Sequence, residues 1–228
     1  MTTTKKTKKQ IRSATPMEQA TAALQRGQYF EAERLANECL HTAWEEGDFA
    51  GLSRIALPLQ EARRQRRLMA AEAGMIQVID GAVEPVLEAL VPGCYIITPP
   101  NVGADARSLS NYAFDSGIPI IAIAREPVTQ MGLLPVVSVG PTIIRTLVKQ
   151  PKDDEHTVAW CLAAIDSLTD AALDSIDEHR SAPRRVNNLM DLLDSLPESE
   201  ELHRALAETA AEAAREKTID SEDADATA

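Results

Sequence analysis

The stretch from Met75 to Ala124, MIQVIDGAVEPVLEALVPGCYIITPPNVGADARSLSNYAFDSGIPIIAIA, changes the hydrophobic rhythm of the chain. Met75–Asp80, Cys94–Thr98 and Ile118–Ala124 are short apolar runs rich in Ile, Val and Tyr, the pattern of strands buried on both faces of a parallel sheet. Between them, Pro85–Val91 and Ala104–Phe114 carry apolar residues at helical spacing. Strands alternating with helices predict right-handed parallel crossovers. Two further strands, Pro135–Val139 and Thr142–Lys149, are separated by Gly140-Pro141, a pair that suits a tight reversal and so an antiparallel edge.

Working outward, residues 16–70 read as helices. Thr15-Pro16 has the form of a cap followed by proline at the first helical position. Ala20, Ala23 and Leu24 share a face that stops at Gly27. A second helix fits Phe30–Glu45, with Ala32, Leu35, Ala36, Cys39, Leu40 and Ala43 on one side, and Gly47-Asp48 breaks it. A third fits Phe49–Met69, with a kink predicted at Pro58. Beyond the sheet, residues 153–216 return to helical spacing. Asp153-Asp154 is read as the cap of a helix through Val158, Leu162, Ile165 and Leu168; Pro183 and then Pro197-Glu198 open two more.

Ala23-Leu24-Gln25-Arg26-Gly27-Gln28-Tyr29-Phe30-Glu31-Ala32 resembles the helix–turn–helix of the tetratricopeptide (TPR) repeat, with small residues at Ala23, Gly27 and Ala32 and Tyr29 as a plug between helices. The resemblance covers about residues 17–66 and one repeat, whereas such repeats ordinarily stack in threes or more. It implies a helical hairpin that docks on the rest of the chain or on a protein partner. The expected fold is therefore mixed, α+β with α/β character. A TPR-like module (16–70) precedes a small, mostly parallel sheet with an antiparallel edge (74–150) and a C-terminal helical subdomain (153–216). A basic tail (1–15) and an acidic tail (217–228) are expected to be disordered.

The composition, 44% hydrophobic and 25% charged over 228 residues, is that of a chain able to bury a core. The formal charge of −12 is unevenly spread. Residues 1–70 hold 12 Lys and Arg against 8 Asp and Glu (net +4), and residues 71–228 hold 11 against 27 (net −16). That excess of acid argues against nucleic acid as a partner. Cys39, Cys94 and Cys161 form neither a disulfide framework nor a zinc spacing. No apolar run is long enough for a membrane span, and the lysine-rich N-terminus lacks a signal peptide's apolar stretch, so a cytoplasmic protein is expected. His41, His156, His179 and His203 lie apart, which leaves no metal set.

Two clusters stand out as candidate sites. The loop Pro99–Arg107 leaves the carboxyl end of the second predicted strand, the edge at which open α/β sheets bind ligands. Asn101, Asp105 and Arg107 from it, with Arg125 and Glu126 from the next strand, could converge there, the two arginines clamping an anion. The plain alternative is a turn, a first-turn carboxylate and a local ion pair. Arg63, Arg64, Arg66 and Arg67 form the second cluster, either a patch for an acidic partner or a set paired internally with the acidic C-terminal half. No G-x-G-x-x-G, G-x-x-x-x-G-K-[ST] or G-x-S-x-G is present, so no cofactor and no catalytic residue are assigned. Two functions fit. One is a non-enzymatic scaffold that holds a protein partner through the TPR-like helices. The alternative is a small α/β protein or enzyme that holds an anionic small molecule at the Asn101–Arg107 loop.

Overall fold

Reciprocal hydrogen bonds open the first helix. Thr15 N–H reaches Glu18 Oε2 (2.7 Å) and Glu18 N–H returns to Thr15 Oγ1 (3.2 Å), with Pro16 in the first turn. The computed structural model describes residues 14–226; nearly all of the basic tail expected over 1–15, and the last two residues, lie outside them. Helices α1 (Pro16–Gln25) and α2 (Tyr29–Glu45) end at Gly27 and Gly47, whose φ values of 73° and 64° only glycine adopts readily. Helix α3 (Phe49–Glu72) is capped by Asp48 through the Gly51 N–H and is continuous past Pro58.

The middle of the chain follows as β1 (Ile76–Ile79), α4 (Glu84–Glu88), β2 (Gly93–Ile97), α5 (Gly103–Asp115), β3 (Ile120–Arg125), β4 (Leu133–Val139) and β5 (Ile143–Lys149). The strands lie in chain order. β1, β2 and β3 are parallel, and β4 and β5 add on antiparallel. Every residue of β2 is buried, as a continuous apolar run requires. β1 and β5 are the edges, and they expose Val78, Ile143 and Leu147.

Helices α6 (Val158–Asp174), α7 (Ala182–Ser195) and α8 (Glu200–Ala226) complete the chain. Two expected starts are corrected. Thr157, not Asp153-Asp154, caps α6 by accepting the Trp160 N–H (3.1 Å). The two aspartates sit in a separate turn, with left-handed φ values of 55° and 58°. Helix α8 begins after Ser199, whose hydroxyl takes the Leu202 N–H, and Pro197-Glu198 belong to the preceding turn. The acidic stretch from residue 217, expected to be unstructured, continues α8 to Ala226.

The C-terminal helices pack on both earlier parts at once. One core joins Leu40, Leu52 and Leu59 of the N-terminal helices to Ile96, Ile121, Ile123 and Val136 on one face of the sheet. It also takes in Cys161, Leu168, Leu189, Leu193 and Leu206 of α6–α8. The other face, with Tyr95, Ile97 and Ile120, is covered by Leu109 and Ala113 of α5.

A buried ionic clamp ties these helices together. Glu33 of α2, 5% exposed, accepts from Arg63 Nε (3.0 Å) and, through both oxygens, from Arg66. Arg63 goes on to Asn37 Oδ1 (3.0 Å) on α2 and His203 Nε2 (3.2 Å) on α8. Arg66 lies 5.0 Å from the ring centres of both Phe30 (α2) and Phe114 (α5), a cation–π contact to each. Arg67 reaches the Glu200 carboxylate and donates to Glu198 O.

Glu33→Gln leaves two enclosed guanidinium groups without their anion and should cost about 3–5 kcal/mol in denaturant unfolding. Glu61→Gln removes only the half-exposed partner of Arg64 and should cost under about 1 kcal/mol. Cys94 and Cys161 meet thiol to thiol in the core, while Cys39 is half-buried. A thiol reagent should therefore label Cys39 alone in the native protein and all three cysteines in denaturant, read by mass spectrometry.

Candidate functional site

The inward turn of the Arg63–Arg67 run follows from helical spacing. Arg63 and Arg66 are three apart and share one face of α3, and Arg67 follows one turn beyond Arg63. Their side chains are 8%, 12% and 16% exposed, so these three form no solvent-facing patch. Arg64 alone points outward, to Glu61 on its own helix. Arg63 and Arg66 therefore pair with Glu33 inside the basic first third of the chain, and Arg67 alone pairs with the acidic C-terminal helix, at Glu200.

Arg63 and Arg66 border a cleft of about 250 Å³. Its remaining walls are α5 (Arg107, Ser110, Asn111), the β3–β4 face and the turn between α7 and α8. Arg107 crosses it. One terminal nitrogen, Nη1, donates to Val139 O (3.0 Å) and to Asp194 O (2.9 Å), so the guanidinium bridges the end of β4 and the end of α7. Among the described residues no carboxylate pairs with it. Gly140 makes this approach possible: a Cβ there would stand 2.6 Å from Arg107 Nη1 and 2.5 Å from the Ser195 backbone.

The serines on this wall are already engaged. Ser195 Oγ accepts the Thr142 N–H (3.1 Å) and lies 2.9 Å from Thr142 O and 2.8 Å from Asp191 O, while Ser138 donates to Ser195 O. Among the described residues, no histidine or cysteine lines the cleft. Asp194 turns its carboxylate to His41 (3.4 Å), and that hydrogen bond holds the imidazole's pKa above its ordinary value. Among the described residues, no group of three or more His, Cys, Asp or Glu is placed to hold a metal ion, and no helix is long and apolar enough to cross a membrane.

The five residues expected to converge at the Pro99–Arg107 loop do not. Only Arg107 lines the cleft. Asn101 Nδ2 donates to Gly81 O (2.8 Å) and joins two loops. Asp105 caps its own helix by accepting the Val102 N–H (2.7 Å). Glu126 pairs with Arg145 of β5. Arg125 lies 3.6 Å from Asp154. Two constraints keep the set apart. Strands in unbroken chain order have no reversal point, and so no crevice at their carboxyl edge. Side chains also alternate along a strand, and Arg125 follows Ile121 and Ile123 onto the α6 face, whereas Arg107 belongs to the α5 face. The sheet itself separates the two arginines.

Sequence reasoning missed Glu33, Ser110, Asn111, Gly140 and the α7–α8 turn as parts of one site. Ser110 and Asn111 were within reach, being three and four residues beyond Arg107 on the same helix face. The α7–α8 turn was not, because 87 residues separate Asp194 from Arg107. His203 was likewise hidden. It is 1% exposed, and since Arg63 can only donate, His203 Nε2 must accept, which puts the proton on Nδ1, 2.6 Å from Ser199 O. Burial, reinforced by the Arg63 charge, pushes its pKa down to about 3. Comparison with protein-family models, curated proteins and solved structures finds no match to this chain.

His203 is neutral in the fold and takes a proton once unfolded, so its contribution to stability is complete above about pH 6.5 and is lost as the pH falls toward 3. From pH 7 to pH 5 this group alone should remove about 2 kcal/mol. Denaturant unfolding should show that slope, flattened in His203→Gln relative to the native chain.

Proposed function

We propose that this chain binds a compact carboxylate- or phosphate-bearing molecule in the cleft between α5, the β3–β4 face and the α7–α8 turn. Arg107 is the charge anchor, and Ser110 and Asn111 orient the ligand. The observation that carries the reading is Arg107 itself, a part-buried guanidinium in a concave site with backbone carbonyls for partners and no carboxylate. A guanidinium so placed has donors left for a forked contact with an oxyanion. Arg63 and Arg66 line the same cleft with Glu33, Asp194 and Glu198, so its three arginines meet three carboxylates and the attraction for an anion is local to Arg107. At about 250 Å³ the cleft suits a ligand smaller than the usual drug-sized occupant.

The reading is of a binding protein, because the cleft-lining serines Ser138 and Ser195 are held by backbone groups. The scaffold reading, a protein partner on the TPR-like helices, has less support. The arginines that would have met such a partner are committed to Glu33, Asn37, His203 and Glu200.

A thermal-shift panel of small carboxylates and phosphate esters tests this. A ligand at a hundredfold excess over its Kd stabilises by about 2.7 kcal/mol, a rise of roughly 5–10 °C for a chain of this size. The shift should vanish in Arg107→Gln, with the far-UV circular dichroism unchanged. A flat panel, or a panel in which every shift survives Arg107→Gln, would sink the proposal.

A further inference from the structure

On the opposite face of the sheet, at the end of β3, three polar nitrogens are shut away from water without a well-formed hydrogen bond: Arg125 Nε and both ring nitrogens of His156, which has at most a poorly aligned contact to the Asp154 backbone. Buried polar atoms are nearly always satisfied, and a guanidinium N–H can be satisfied only by an acceptor. The two side chains are neighbours, close enough that the Arg125 charge adds to burial in holding His156 below its ordinary pKa. Trp160 stands edge-on to the imidazole, 4.7 Å between ring centres, and is itself fixed by a bond from its Nε1 to Lys149 O (3.1 Å).

Among the described residues the one acid paired with Arg125 is Asp154, at 3.6 Å, beyond normal hydrogen-bond reach and with a side chain 54% exposed. Asp154 is presented by a costly backbone. Asp153 and Asp154 are consecutive non-glycine residues with φ of 55° and 58°, each an unfavourable left-handed conformation. Strained backbone thus holds a loosely bound carboxylate over a largely enclosed guanidinium whose neighbouring imidazole has only the Asp154 backbone for a polar partner.

We propose that Arg125 and His156 form a binding site for a phosphate-class oxyanion, and that the Asp154 carboxylate is its resident stand-in. An oxyanion seated there accepts from Arg125 Nε and from the protonated nitrogen of the imidazole, which supplies the acceptors the fold withholds. Asp154 then swings out to solvent, and the 152–154 turn is free to leave its left-handed conformation. The site is independent of the Arg107 cleft, from which the sheet divides it.

The test is calorimetric titration of inorganic phosphate, and separately of glycerol phosphate, into the full chain carrying Arg107→Gln, so that the anion cleft on the other face contributes no heat. Asp154→Asn removes a competing negative charge at about 4 Å and should tighten phosphate binding by about tenfold. Arg125→Gln and His156→Gln, each added to the Arg107→Gln background, should abolish it. Equal affinity for the two titrants would identify the free ion as the natural occupant, and a tighter ester would identify a phosphorylated metabolite; either outcome upholds the site. Asp154→Asn, an exposed position, keeps the test decisive if the Arg125 variant does not fold. Unchanged or weaker binding on adding Asp154→Asn, binding retained on adding Arg125→Gln, or no heat of binding with or without Asp154→Asn would each overturn the proposal.

Discussion

Glu33 between Arg63 and Arg66 is the contact on which the rest of the arrangement depends. A carboxylate 5% exposed is tolerable only when its lone pairs are filled, and the two guanidinium groups fill them. In doing so they fix the rotation of α3 against α2. Arg63 then finds His203 on α8, and Arg66 finds Phe30 and Phe114, which brings in α5. Four helices from three separate parts of the sequence are placed by one acid. Arg63, Arg66 and Glu33 also border the cleft that Arg107 crosses, where Asp194 and Glu198 complete the balance of charge. The atoms that hold the fold together therefore also set the electrostatics of its concave site.

The sheet has a second organising effect. Its strands follow chain order, so α4 and α5 lie on one face while α3 and α6 cover the other. Each face then carries one arginine with incomplete partnership: Arg107 bonded to carbonyls, and Arg125 bonded loosely to Asp154. Two arginines that a linear reading brings to a single clamp become the centres of two unrelated environments. The difference comes from side-chain alternation along β3 and from nothing more elaborate.

Much of the fold was legible because local rules acted alone. The apolar runs at Cys94–Thr98 and Ile118–Ala124 could be satisfied only by burial on two faces, and Thr15-Pro16, Gly27 and Gly47 mark helix ends by backbone preference. Where two local signals competed, the reading slipped. Asp153-Asp154 and Thr157 could each cap α6, and the hydroxyl adjoining the first helical turn won. Helix α8 was cut short because its acidic end resembles a solvated tail. The candidate site was mostly illegible, since its walls come from positions up to 87 residues apart. Even so, the alternation that parts Arg107 from Arg125 was present in Ile121, Ile123 and Arg125, had it been applied.

The span of the clamp also bears on how the chain is made. Arg63 and Arg67 sit on a helix finished by residue 72, yet their partners His203, Glu198 and Glu200 lie more than 130 residues later. During vectorial synthesis α3 emerges with its inward cations and apolar face uncovered, and it must wait for almost the whole chain before α8 closes over it. The first 150 residues carry the first three helices and the complete sheet, but not the helix against which α3 rests. A ribosome stalled before α8 would hold a nascent chain with an open seam, prone to capture by chaperones.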